Sequence, residues 1–252
     1  MDVVIGTPIH GKGAYIIDKF LSNQQQIQSR YPSSELVLAT DEDELARALE
    51  SFINLWKLKG RVLHYEVVKP DHAHSSIWKI TCGREAIHKY MLSQTTAEHL
   101  LFLDADMTVE PSVVSIMKKE IEGYDAVFSG YPLRNYGIGL AGAGCVMLNR
   151  SVLEKLNFRC YEFKNGEVIF EDNMLEVDLF RLRSRVKKGF FLTINHFDSA
   201  NKMKQITPRP VGVFRRLSNH QLLRYGLIRA SIVCRYNMPW RFKVLISRFF
   251  GI

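Results

Sequence analysis

Strand-like and helix-like stretches alternate through the first half of this chain, and that alternation restricts its fold more than any other feature. DVVIGTP (2 to 8) is a β-branched run ended by Gly and Pro, and GAYIIDKFLSNQQQIQ repeats apolar residues at helical spacing. ELVLATDED (35 to 43) predicts a second strand, ELARALESFINLWKLKG a helix ended by Gly60, and RVLHYEVVK a third strand. SIWKITCGREAIHKYMLSQ (76 to 94) has a helical pattern, and residues 99 to 103 form an apolar strand. A helix at 111 to 122, a strand at 125 to 130, GCVMLNR as a strand, SVLEKLN and EDNMLEVDLFRLRSRVKKG as helices, and FFLTINHF as a strand complete the series. Parallel strands need crossover helices, so the pattern implies an α/β sandwich with a mainly parallel central sheet.

In such sheets ligands bind beyond the carboxyl ends of the strands. EHLLFLDADMTVEP (98 to 111) is therefore pointed: an apolar strand runs directly into Asp104-Ala-Asp106. Two charges there are costly unless something positive meets them. Two carboxylates one residue apart can share a divalent cation, and oxygen donors suit Mg²⁺ or Mn²⁺ held together with phosphate oxygens. The expected positive partner is such a cation rather than a side chain. Thr7, Pro8 and Asp41 end their own strands and belong on the same rim.

Four segments, in this order, resemble the GT-A nucleotide-sugar glycosyltransferases of the family 2 type: GTPIHGKGAYIIDKFLSN, LLFLDADMTVEPSVV, GAGCVMLNRSVLEKLNF and FEDNMLEVDLFRLRSRVKKGFFLTINHF. The resemblance spans roughly residues 2 to 197. It implies a GT-A-like, Rossmann-like α/β/α domain that moves a hexose from a nucleotide-diphosphate sugar to a glycan, lipid-linked or protein acceptor, using Mn²⁺ or Mg²⁺. By the same resemblance Asp104, Asp106 and His196 hold the metal, with Asp106 the firmer ligand. Asp172, or alternatively Glu171, deprotonates the acceptor in an inverting reaction. Thr7, Pro8, Asp41 and Arg84 bind the nucleotide, Arg84 by approaching its phosphates. Gly142 and Gly144 let backbone come close to the acceptor.

Two other classes stay open. DADMT also fits the nucleophile motif of haloacid-dehalogenase-like, Mg²⁺-dependent phosphatases, with Asp172 and Glu176 as the later acids, although that motif normally sits on the first strand. A non-enzymatic reading comes from the distribution of charge. The chain carries +8 overall, yet the residues after Asp198 contain eleven Lys and Arg and no acid, so the first 198 residues sum to −3. The expected organisation is a catalytic domain over 1 to 200 and a basic, amphipathic helical extension over 201 to 252. Its basic and aromatic mixture at 215 to 250 either completes the domain's own core with the Arg residues solvated or suits an anionic membrane surface, and it suits nucleic acid less well. The scattered cysteines, the acidic start and the lack of an apolar run of about 18 residues point to a cytoplasmic protein, peripheral at most on the cytosolic membrane face.

Overall fold

A computed structural model describes residues 1–133, 137–139, 142–164 and 166–210. The expected helical extension lies almost wholly outside these residues. The chain forms β1 (Val3–Pro8), a 3₁₀ turn (Gly11–Ile16), α1 (Ile17–Arg30), β2 (Ser34–Thr40), α2 (Asp43–Leu55), β3 (Gly60–His64), α3 (Ile77–Gln94) and β4 (His99–Leu103). Next come β5 (Met107–Val109), α4 (Val113–Ile121), β6 (Ala126–Ser129), β7 (Tyr131–Leu133), β8 (Gly137–Gly139), β9 (Cys145–Asn149) and α5 (Arg150–Leu153). The remainder is β10 (Tyr161–Glu162), β11 (Val168–Ile169), α6 (Glu171–Arg181), β12 (Val186–Gly189), β13 (Ile194–Ser199) and β14 (Lys202–Ile206).

Seven strands make one sheet in the order β12, β6, β9, β4, β1, β2, β3, and every neighbouring pair is parallel except the two that involve β9. Side chains alternate between its faces. Val3, Ile5, Leu101 and Met147 pack with residues of α1, α2 and α4 on one face. Val4, Val37, Phe102 and Val146 pack with α3, α5 and α6 on the other. Two apolar layers on one sheet are the α/β/α sandwich the alternation predicts.

The outer part of EDNMLEVDLFRLRSRVKKG departs from expectation. The helix stops at Arg181, Arg183 takes a left-handed φ of 55°, and Val186–Gly189 becomes an edge strand parallel to β6. Val186 is buried there and Lys187 and Lys188 are half-buried, a strand-like use of a segment that also fits a helix. The strand expected in FFLTINHF is present as β13, whereas the shorter β5 and β14 were not legible; the three form a separate antiparallel sheet, so ordered pairing continues past residue 200.

Candidate active site

A cavity of about 490 Å³ opens at the carboxyl ends of β1, β2 and β4. The rule for parallel sheets locates it, and β9 adds to it. Because β9 runs antiparallel to β4, the residues that lead into it, Ala143 and Gly144, arrive at the same rim as Asp104. The Asp104 N–H donates to the Gly144 carbonyl at 3.1 Å, which fixes the turn into the D-x-D segment.

Asp104 and Asp106 both line the cavity. Each carboxylate already faces a positive or protonatable side chain, contrary to the expectation of a cation alone. The Asp104 Oδ1 accepts from Arg84 Nη2 at 2.7 Å. The Asp106 Oδ2 lies 3.3 Å from His196 Nε2. The second contact follows from register: β13 pairs with β5 so that His196 stands opposite Met107, next to Asp106. His196 Nδ1 donates to the Pro132 carbonyl, which leaves Nε2 for the carboxylate. Burial opposes a charge on this ring, but Asp106 and the Pro132 carbonyl outweigh it and raise its pKa above the ordinary value.

Arg84, expected to approach the nucleotide phosphates, lines the cavity and turns its guanidinium onto protein partners. Its side chain is 3% exposed; Nη1 donates to the Ala143 carbonyl at 2.7 Å and Nε lies 3.3 Å from Glu171 Oε1. Burial disfavours its charge, yet Asp104 and Glu171 raise its pKa. Glu171 and Asp172 occupy the first turn of α6 and line the cavity. Burial pushes the Glu171 carboxyl up to about 7, Arg84 works against that, and Asp172 adds to it. The Asp172 Oδ1 accepts from the Asn173 N–H at 2.7 Å, an arrangement local to the helix start.

Of the other expected residues, Pro8 lines the cavity and Thr7 does not. Thr7 is fully buried with no partner for its hydroxyl, because strand alternation turns it away from the rim. Asp41 stands behind the wall, 2.6 Å from Lys79 Nζ and 3.6 Å from His10 Nδ1, and those two partners line the cavity. Gly144 lines it as well, and Gly142 does not. A methyl group at either glycine would collide with Tyr131, and at Gly144 also with Asp104. These glycines admit a phenol ring and a carboxylate. Tyr131, Lys79, His10 and Glu42 are lining residues the sequence did not single out. His10 and Glu42 lie beside strand ends and could have been flagged on that ground; Tyr131 and Lys79 carry no local signal.

Among the described residues no three His, Cys, Asp or Glu side chains gather into a complete metal site. Asp104 and Asp106 nevertheless offer hard oxygen donors, and Mg²⁺ and Mn²⁺ are commonly held by one or two carboxylates plus substrate phosphates. The donor set fits a shared cation. A cation taken by Asp106 from the His196 side and a proton on Nε2 exclude one another.

No protein-family model and no curated protein matches the sequence. Solved structures do match the fold. Residues 1–349 of S. aureus TarS, solved in complex with UDP-GlcNAc, align with 99% of this chain and 72% of that one, with a TM-score of 0.53 at 13% identity. The mannosyltransferase PcManGT from Pyrobaculum calidifontis, in complex with GDP-Man and Mn²⁺, aligns with 99% of this chain and 70% of its own, with a TM-score of 0.52 at 13% identity. The inositol-1-phosphate CTP transferase from T. maritima aligns with 79% and 90% respectively, with a TM-score of 0.50 at 11% identity. At such identities the likeness concerns architecture, and on that evidence the chain has the mixed α/β fold of the GT-A glycosyltransferases.

Proposed function

We propose that the chain is a metal-dependent glycosyltransferase that moves a sugar from a nucleotide-diphosphate donor to an acceptor hydroxyl with inversion. One observation carries this reading: Asp104 and Asp106, at the end of a sheet strand, line the same cavity as Glu171 and Asp172. Asp104 and Asp106 would hold Mn²⁺ or Mg²⁺, and the cation would offset charge on the departing diphosphate. Asp172 accepts the proton of the attacking hydroxyl. Glu171, pushed up to about 7 and facing Arg84, suits a supporting role beside that base. Pro8, His10 and Lys79, backed by Asp41, form the nucleotide end of the cavity.

The phosphatase reading needs Asp104 to attack phosphorus. A buried guanidinium holds that carboxylate at 2.7 Å, and the motif lies on the fourth strand. Nucleotidyl transfer shares the architecture, and products separate it from sugar transfer: pyrophosphate in one case, a nucleoside diphosphate in the other.

A thermal-shift screen of nucleoside diphosphates, with and without Mn²⁺, tests the proposal. A ligand at one hundred times its Kd stabilises by about 2.7 kcal/mol, so the true nucleotide stands out only with metal. The reading fails if no nucleotide shifts the wild type, or if Asp106→Ala leaves the shift intact. A product with the donor's anomeric configuration, read by NMR, would remove Asp172 from its role as base.

A further inference from the structure

We infer that Arg84 is a positioning residue that couples the D-x-D turn to the acid-bearing start of α6. This rests on the reading of Asp104 as part of the donor site. One guanidinium touches three segments distant in sequence: Asp104 Oδ1 at 2.7 Å, the Ala143 carbonyl at 2.7 Å and Glu171 Oε1 at 3.3 Å. The group is planar, and its nitrogens keep fixed mutual positions, so a partner that shifts or changes charge alters the pull on the others. Water cannot easily replace the contact with Glu171, because Arg84 is 3% and Glu171 7% exposed at the side chain, whereas Asp104, 29% exposed, meets the cavity. The ring of Phe102 lies 5.0 Å from the guanidinium and backs it on one side.

Further along, α6 is tied down independently. Asp178 accepts from Arg159 Nη2 at 2.7 Å, and Glu176 pairs with Lys188 of β12. The helix therefore presents Glu171 and Asp172 from a fixed base, and Arg84 is the side chain that joins that base to Asp104. One cation divided between two carboxylates makes their demands opposed. If Glu171 loses its charge, Arg84 is left wholly to Asp104 and a bound cation must compete with it. Drawing Asp104 toward a metal and diphosphate has the converse effect and strengthens the hold of Arg84 on Glu171. Such coupling is reciprocal by thermodynamic necessity.

The test titrates UDP and GDP, each with Mn²⁺, calorimetrically into wild type, Glu171→Gln, Arg84→Lys and the double variant. Glu171→Gln should weaken nucleotide binding roughly fivefold or more, the lower range of measured couplings. A lysine ammonium cannot span the three partners, so in the Arg84→Lys background Glu171→Gln should change the Kd little further. An unchanged Kd for Glu171→Gln, or an equal loss in both backgrounds, overturns the inference. In parallel, urea unfolding of Asp104→Asn, Glu171→Gln and their combination reads the coupling without any ligand. The two acids meet through Arg84, so non-additive stabilities are expected and additive ones overturn the inference. This second arm also decides the matter if Arg84→Lys does not fold. A wild type that binds neither of these, nor any other nucleoside diphosphate of the thermal-shift screen, defeats the glycosyltransferase reading while leaving the stability cycle to judge Arg84.

Discussion

Gly144 and Glu171 show how single positions are set by what they face. An added Cβ at residue 144 would collide with the Asp104 carboxylate and reach the Tyr131 phenol at 2.9 Å. Backbone or ring must then shift, and overpacking of this kind costs about 1–3 kcal/mol. Gly144→Ala should lower the melting temperature and weaken nucleotide binding together, as scanning calorimetry with and without ligand would show. Glu171 sets a pH dependence. Its carboxyl is raised from 4.5 to about 7 in the fold, first by burial. Between those values the unfolded chain has released a proton that the folded one keeps, so this group's contribution is complete below 4.5 and is lost as pH rises through 7. Urea midpoints measured across that window should fall less steeply for Glu171→Gln than for wild type. Asp104, Asp106, Glu171 and Asp172 were legible because each follows an apolar strand or opens a helix. The two partners of these acids, Arg84 and His196, were legible as residues of interest, yet their pairings were not, because these depend on register and helix placement.

Long elements were read correctly because periodicity has room to show. The helix at 77–94 and the strand at 99–103 lie where the pattern puts them. Strands of two or three residues, such as β5 and β10, offer no period at all, and β12 was absorbed into a helix because a chain of mixed charge and apolar residues fits both. An element can also depend on a distant side chain. Arg150, at the start of α5, donates to the carbonyls of Leu92, Thr95 and Ala97 at 2.8, 3.1 and 3.1 Å, and so closes the end of α3. Without it those carbonyls lose a charged donor, a loss of about 2–3 kcal/mol. Urea unfolding of Arg150→Met should show a deficit of that size, and nucleotide affinity should fall less than in Gly144→Ala, because Arg84 sits on an earlier turn of α3.

At the scale of the whole molecule, charge divides sharply: −3 over the first 198 residues and +11 after them. No helix among the described residues is long and apolar enough to cross a membrane. We expect the basic extension to bring the chain to anionic lipid, where each basic residue near the surface contributes about 1 kcal/mol and salt screens the attraction. The full chain should sediment with phosphatidylserine vesicles at low salt and leave them at high salt; absence of sedimentation at low salt rejects the idea. The sandwich itself was legible from alternation and the cavity's lining in part: Pro8, Asp104, Asp106, Gly144, Glu171 and Asp172 were singled out, whereas His10, Glu42, Lys79 and Tyr131 were not, because the wall gathers side chains from across the sequence. The pairing of β5 with β13 has a consequence for synthesis. Met107 meets His196 only when both strands exist, and Tyr15 reaches the Phe197 carbonyl across 182 positions. Such long-range pairings close late, because loop entropy opposes them until the intervening chain has condensed. A nascent chain halted before residue 190 holds the D-x-D turn without its histidine, so the ribosome must release nearly the whole described domain before Asp106 and His196 can meet.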